Sequence, residues 1–423
     1  MRILLIQPPF YRFLNVTINY FPLGLGYIGA ALLKAGYEVK IYHADYMPRS
    51  SNLETKYREI MKSHEYYWDA LTNDSHECWC DIRKVIGMYN PDIVGTTAMD
   101  VTYPSATKIL KIAKDINSDI VTVLGGPSIT IRPQMARKKF IDYAIVGEGE
   151  EAFVSLVNNI KKGSYDNLKN IKGVCLWDDN NFYIGERAPY IDANKYSKPA
   201  RDILSFKKYD SDVYGDIITS RGCPFKCYYC NAPIVSGTQV RYRKIKNVIE
   251  EITEVHENYG TRYFHFYDDV FTLNKNRTMK LLTELEKCNL DIRFWCNTRT
   301  DLLDTDIVKS LKSAGCDEVA IGIESGSDRI LKLINKKITV KQIKECIELL
   351  NKWDMGWSAF IMLGFPMETE EDIRKTIKLM EEIDPPRGFV ISLFTPYYGT
   401  PLYEYMKKYK LLPDTEYWGF YTH

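Results

Sequence analysis

Neither sign of charge prevails in this chain of 423 residues. Lys and Arg number 56, Asp and Glu 55, and the net charge is +1, so the chain lacks the basic field that draws proteins onto nucleic acid. It also lacks an uncharged run approaching the ~20 residues that a membrane-crossing helix needs. The opening run Met1-Arg2-Ile3-Leu4-Leu5-Ile6 reads as a buried strand and not as a signal peptide. With no secretion signal, ten cysteines lead to the expectation of reduced thiols and a cytoplasmic protein. The excess of Tyr (31) is read as a composition bias without functional meaning.

What is present stands out against these absences. Cys223, Cys227 and Cys230 fall at a C-x3-C-x2-C spacing inside Thr219-Ser220-Arg221-Gly222-Cys223-Pro224-Phe225-Lys226-Cys227-Tyr228-Tyr229-Cys230-Asn231. Thiolates this close in sequence can wrap one loop around a single iron–sulfur cluster. A [4Fe–4S] cube held by three of them keeps its fourth iron open. A zinc loop would close with a fourth Cys or His, and the closest histidines, His256 and His265, read as helix and strand. The remaining cysteines (Cys78, Cys80, Cys175, Cys288, Cys296, Cys316, Cys346) lie mostly in apolar surroundings and read as core. The spacing, with an aromatic just before the last cysteine, resembles the signature of the radical S-adenosylmethionine enzymes. The resemblance implies that S-adenosylmethionine chelates the open iron and is cleaved by an electron from the cluster to methionine and a 5′-deoxyadenosyl radical.

The chain is long enough for two or three domains. Over the first ~160 residues apolar strands alternate with helical segments, the pattern of a parallel sheet covered on both faces. Strands are expected at Arg2–Gln7, Glu38–His43, Ile93–Thr97, Ile120–Leu124 and Tyr143–Val146, with helices near Gly24–Lys34, Cys80–Met88, Tyr103–Asp115 and Glu150–Lys161. This order suits a doubly wound, Rossmann- or flavodoxin-like α/β domain, whose ligands sit at the carboxyl ends of the strands. The loops there are Gln7-Pro8-Pro9, Thr96-Thr97-Ala98-Met99-Asp100, Gly125-Gly126-Pro127 and Gly147-Glu148-Gly149-Glu150, with glycines that let backbone approach a flat ligand. Together, with Pro22-Leu23-Gly24-Leu25-Gly26-Tyr27 opening the first helix, they resemble the cobalamin-binding domain that precedes the barrel in one large radical-enzyme class. The resemblance implies cobalamin contacts from Thr97, Met99, Tyr103, Gly125, Gly126, Pro127, Gly147, Glu148 and Gly149. The Asp-x-His-x-x-Gly loop of many corrinoid carriers is missing; the loop after the first strand reads Pro8-Pro9-Phe10-Tyr11-Arg12-Phe13. Cobalamin without a histidine below the metal is therefore the expectation, and an empty accessory domain the alternative.

A second strand–helix alternation follows. Strands are expected at Ile217–Ser220, Tyr263–Tyr267, Arg293–Cys296, Glu318–Ile323, Ser358–Leu363 and Phe389–Phe394, six βα units fitting a partial (β/α)6 TIM-like barrel with function at the C-terminal strand ends. The cysteine loop directly follows the first strand. The expected division is 1–165 for the cobalamin-binding domain, 166–212 for a connector with a strand at Gly173–Trp177, 213–400 for the barrel and 401–423 for a short tail.

By resemblance, Tyr229 packs near the adenine, Asp268 and Asp269 hold the methionine ammonium, and Glu324 binds the ribose hydroxyls. Leu363 and Gly364 read the base through their backbone groups, and Pro396 plays a comparable part. Arg299 is a candidate for the methionine carboxylate as a charge-assisted pair. The expected activity is methylation of an unactivated carbon of a small-molecule or peptide substrate, with an external electron donor such as flavodoxin or ferredoxin and with no nucleic acid as partner. Rearrangement, cyclisation or dehydration on the same architecture is the alternative. An electron-transfer or sensory iron–sulfur protein would need no nucleoside pocket, and a tRNA methylthiotransferase usually adds a basic tail that is missing here.

Overall fold

The computed structural model describes residues 1–48, 57–196 and 198–412. The chain forms two compact units, Met1–Val213 and Tyr214–His423.

The first unit is built on β1 (Arg2–Gln7), β2 (Glu38–His43), β3 (Ile93–Thr97), β4 (Val121–Gly125), β5 (Tyr143–Ile145), β6 (Val174–Asp178) and β7 (Asn181–Tyr183). Their order in the sheet is β2-β1-β3-β4-β5-β6-β7. The first five are parallel and the last two antiparallel. Ile3, Leu4, Leu5 and Ile6 are all fully buried, because a parallel strand covered by helices on both faces has no side to give to water. Helices Leu23–Lys34, Glu77–Tyr89, Tyr103–Ile116 and Gly149–Lys162 supply that cover. The strand order reverses between β1 and β3, which is where such sheets open a ligand crevice at their carboxyl ends.

Residues 166–212, expected to bridge two domains, lie in the first unit. Their strands β6 and β7 extend its sheet, and Ile203–Ser205 runs along the free edge of β2, exchanging two backbone hydrogen bonds of 2.9 Å with Ile41. A helix at Tyr57–Thr72 was not expected from the sequence.

The second unit contains β8 (Asp216–Ile217), β9 (Ser220–Arg221), β10 (Arg241–Tyr242), β11 (Tyr263–Phe266), β12 (Arg293–Thr298), β13 (Cys316–Glu324), β14 (Trp357–Leu363) and β15 (Phe389–Leu393). Six of them form one sheet in the order β15-β14-β13-β12-β11-β8, all parallel. β9 and β10 pair separately as a short antiparallel ribbon. Sequential parallel strands with intervening helices make the expected partial barrel. Phe264, Phe266, Phe294, Val319, Ile321, Trp357 and Ile361 pack on Ile252, Leu281, Val308, Leu311 and Leu350 of the helices. Strand alternation turns Tyr267, Trp295, Asn297 and Phe360 to the opposite face. The expected tail contains a helix at Pro401–Lys408 whose Leu402 joins this core; residues 413–423 lie outside the described part.

Candidate active site

The cysteine loop leaves the barrel earlier than the sequence suggests. The first strand was expected to run to Ser220, yet the barrel pairing ends at Ile217. The Thr219 N–H instead donates to the Asp268 carboxylate at 3.0 Å. The Ser220 N–H and hydroxyl donate to the same Oδ1, the hydroxyl at 2.7 Å. Asp268 is thus a backbone clamp, fully engaged with the start of the loop and 1% exposed. This corrects the expectation that both aspartates face the cofactor. Asp269 differs: its side chain reaches solvent, and crowding plus the neighbouring Asp268 push its carboxyl up to about 6.

Gly222 turns the chain with φ +101°, and a Cβ there would stand 2.7 Å from Gln239 O, so the turn demands glycine. The Cys223 N–H donates to Gly237 O at 3.0 Å, and the Tyr228 N–H to Ile334 O at 2.9 Å. All three thiols are free, Cys223 buried and the other two half-buried. Burial pushes the Cys223 and Cys230 thiols up, the latter to about 12. The charges of the other loop cysteines and of Asp269 add to this. Cys223 and Cys230, each disfavoured as a thiolate by burial and by the neighbouring cysteine charges, suit a cationic cluster. Among the described residues no three His, Cys, Asp or Glu side chains converge on a single metal ion.

Glu324 ends β13 at a register shift, with φ +67°. Its Oε1 accepts the Tyr229 hydroxyl at 2.9 Å and pairs with Lys336 Nζ at 2.7 Å. Burial, then the Glu324 charge, push the Tyr229 hydroxyl up, so it remains a donor. Tyr229 also meets Phe365 edge-on at 6.1 Å between ring centroids. Arg299 is 4% exposed and its fork is answered by Asp301, at 2.9 and 3.1 Å. With a further bond from Nη2 to Lys336 O at 2.8 Å, Nε and Nη2 are engaged inside the protein, and a ligand carboxylate would have Nη1 to meet.

At the end of β14, Leu363 O accepts the Phe394 N–H at 2.7 Å, and the Gly364 N–H donates to Glu368 Oε2 at 2.6 Å. Two backbone groups expected to read a base are therefore engaged internally. What remains is the bare face of Gly364, where a Cβ would meet nothing within 4 Å, a cradle for a flat ring. Pro396 is buried beyond β15. Sequence reasoning missed Lys336, and gave no role to Glu368, whose Oε1 is buried without a hydrogen-bond partner. It also passed over Asp301, although an Arg-x-Asp spacing was there to suggest the pairing.

In the first unit the named loops gather at the strand ends beside the order reversal. Gly126 has φ +102°, and a Cβ there would stand 2.5 Å from Ala98 N and from Thr97 Oγ1. The β3 and β4 loops are therefore in contact, with Ser128 N–H donating to Ala98 O at 3.0 Å. Pro127 opens the short helix that follows. Gly125 is unstrained and its face meets only Ile145, at 3.8 Å. Met99 is exposed. Tyr103, by contrast, is buried with its hydroxyl on Met135 O at 2.8 Å. Glu148 accepts the Ile191 N–H at 2.7 Å, and a Cβ on Gly147 would stand 2.9 Å from Ala188 O. Gly149 packs on Ile28. Tyr103, Gly126, Gly147, Glu148 and Gly149 thus shape the loops from within, and the open face belongs to Thr97, Met99 and Gly125. His43 is fully buried, hydrogen-bonded to Tyr20 O at 2.9 Å, and burial pushes its imidazole down to about 3; it is no ligand for a metal in the crevice. The uncovered face of Gly125 at the strand ends, with no Asp-x-His-x-x-Gly loop in the sequence, fits a corrinoid bound without such a histidine.

Comparison with known proteins agrees on both units. The profile described as Radical SAM superfamily matches residues 217–380, and that described as B12 binding domain matches residues 13–157. Over its whole length the chain is 33% identical to an uncharacterised methyltransferase of Pyrococcus horikoshii, covering 86% of that protein. It is 28% identical, again throughout, to the anaerobic magnesium-protoporphyrin IX monomethyl ester cyclase of Rubrivivax gelatinosus, covering 73% of it. Among solved structures, the radical S-adenosylmethionine methyltransferase TsrM of Kitasatospora setae superposes with a TM-score of 0.73 at 19% identity, over 95% of this chain and 74% of that one. The cobalamin-dependent radical enzyme OxsB gives 0.68 at 18%, over 99% and 56%. At these identities the likeness is one of fold. No helix among the described residues is long and apolar enough to cross a membrane. The chain belongs to the radical S-adenosylmethionine superfamily, in the branch with a B12-binding domain ahead of the barrel, and is an enzyme of S-adenosylmethionine, a [4Fe–4S] cluster and cobalamin.

Proposed function

We propose that this enzyme methylates an unactivated carbon of a small-molecule or peptide substrate, drawing electrons from an external flavodoxin- or ferredoxin-like donor in the cytoplasm. The observation that carries the reading is the set of three free thiols in one clamped loop, joined through Tyr229 to the carboxylate of Glu324. When bound, the cluster supplies the electron that cleaves S-adenosylmethionine, and the corrinoid supplies the methyl group. Cys223, Cys227 and Cys230 hold the cluster. Asp269, with no hydrogen bond or ion pair among the described residues and its charge felt by Cys223 and Cys230, takes the methionine ammonium. Glu324 turns Oε2 to the ribose, since its described bonds fall on Oε1. The open face of Gly364 supports the base.

The corrinoid would be held by Thr97, Met99 and Gly125, without a histidine of the Asp-x-His-x-x-Gly kind. Relatives named as methyltransferases favour methyl transfer. The cyclase relatives, matched over the whole chain, keep cyclisation as the second reading. Anaerobic protein reconstituted with iron, sulfide and cobalamin should form 5′-deoxyadenosine and S-adenosylhomocysteine together. Deoxyadenosine alone, formed equally well by cobalamin-free protein, would move the assignment to the second reading.

A further inference from the structure

Three consecutive residues beyond β13 hold the cysteine loop. Ile334 O accepts the Tyr228 N–H at 2.9 Å, Asn335 Nδ2 donates to Lys226 O at 2.6 Å, and Lys336 Nζ donates to the Tyr229 hydroxyl at 3.2 Å. The same ammonium pairs with Glu324 at 2.7 Å, both side chains under a tenth exposed. A buried ion pair repays its desolvation only when further hydrogen bonds complete it, and here the Tyr229 hydroxyl closes the triangle. Gly322 makes room for it. A Cβ at that position would stand 2.6 Å from Lys336 Nζ and 2.7 Å from Glu324 Oε1. The backbone is left-handed at Glu324 and on both sides of the lysine, at Asn335 and Lys337. Such conformations persist where the surrounding contacts over-determine them. Behind the lysine, Arg299 holds its carbonyl and lies over the Phe225 ring at 3.9 Å, inside the cysteine loop.

We propose that Lys336 is a positioning residue that ties the nucleoside carboxylate to the cluster loop; this rests on the assignment of Glu324 to the ribose. One cation fixes the carboxylate, leaving Oε2 for the ligand, and at the same time fixes the ring of Tyr229 beside Cys230. A ligand that draws on Glu324 therefore pulls, through Lys336, on the segment that carries the third thiolate. The lysine touches neither the cluster nor the substrate carbon; it acts through its two partners.

The test uses the full chain with Lys336→Met, Lys336→Arg, Glu324→Gln and the Met/Gln double variant. In metal-free protein, urea unfolding of the single and double variants should be strongly non-additive, because both single changes break one pair. The double variant buries no lone carboxylate and carries the comparison should Lys336→Met fold poorly. In reconstituted protein, Lys336→Met should need roughly ten- to a hundredfold more S-adenosylmethionine for half-saturation while retaining its iron. The change that S-adenosylmethionine makes to the electron paramagnetic resonance spectrum of the reduced cluster should shrink, and Lys336→Arg should restore most of both. Additive unfolding, or wild-type affinity and spectral change in Lys336→Met, would overturn the positioning role while the ribose assignment stands. Wild-type affinity in Glu324→Gln would instead remove the ribose assignment itself.

Discussion

A buried aspartate does the same job in both units. In the first, Asp45 lies just past β2 and accepts the N–H groups of Phe10 and Arg12, at 2.6 and 2.9 Å, from the loop that leaves β1. In the second, Asp268 lies just past β11, the second strand of the barrel sheet, and accepts those of Thr219 and Ser220 as the chain leaves β8. Each carboxylate fixes the exit of its sheet's first strand, and burial pushes both carboxyls up. What the clamped loops carry is different. The barrel loop continues into three thiols, whereas the Asp45 loop carries Phe10, Tyr11 and Phe13 and no metal ligand. A common device presents a ligand-bearing loop in one unit and a space-filling one in the other, so the clamp marks the position of the site but not its chemistry.

The difference can be tested most sharply at the thiols. Replacing Cys223, Cys227 and Cys230 by Ala should abolish 5′-deoxyadenosine formation, measured chromatographically, yet leave the corrinoid absorbance of protein made with cobalamin unchanged. Next in size, Asp45→Ala and Asp268→Ala should each cost about 2–4 kcal/mol by leaving two buried N–H groups unsatisfied. Iron analysis after reconstitution should show loss in Asp268→Ala and full loading in Asp45→Ala; equal iron in both would break the comparison. A smaller effect, about 1–3 kcal/mol, is expected for Glu324→Gln on S-adenosylmethionine affinity in an anaerobic titration. In the first unit, Gly126→Ala should lower the melting temperature through its left-handed strain and collisions. Gly125→Ala, in unstrained backbone, should leave the melting temperature alone and weaken corrinoid retention; unchanged retention would show that the backbone does not approach the ligand there.

The smallest effect is on pH. Burial outweighs the hydrogen bonds that Asp45 accepts and raises its carboxyl to about 6, against ~3.9 in an unfolded chain. For an acid with a raised folded value, the stabilising contribution is complete below the unfolded value and is lost as pH rises through the folded one. Wild-type protein should therefore lose stability relative to Asp45→Asn between about pH 4 and 6, read from denaturant midpoints. A loss on going down in pH would reverse the sign and refute the assignment.

The folds were legible because parallel strands buried on both faces leave apolar runs that stand out in sequence. Strands Arg2–Gln7, Glu38–His43 and Ile93–Thr97 match their expected limits to the residue. The side-chain partners were not legible. Asp268 and Asp269 are adjacent and chemically identical, and only the position of Thr219, 49 residues earlier, determines which of them is clamped. Lys336 has no role in the sequence reading until the structure places it against Glu324. Strand β6 was visible as Gly173–Trp177, but its antiparallel docking onto β5 depends on edge pairing between distant segments, which composition does not encode.

The Leu402 N–H donates to Tyr228 O at 3.1 Å, joining the last described helix to the cysteine loop across more than 170 residues of chain. Contacts of such long sequence separation form late, and during synthesis this one cannot form until Leu402 has left the ribosome. The loop that receives the cluster thus reaches its final shape only after nearly all of the barrel has been made. Iron delivery is expected to follow synthesis, and chains arrested before Pro401 should take up less iron than full-length ones.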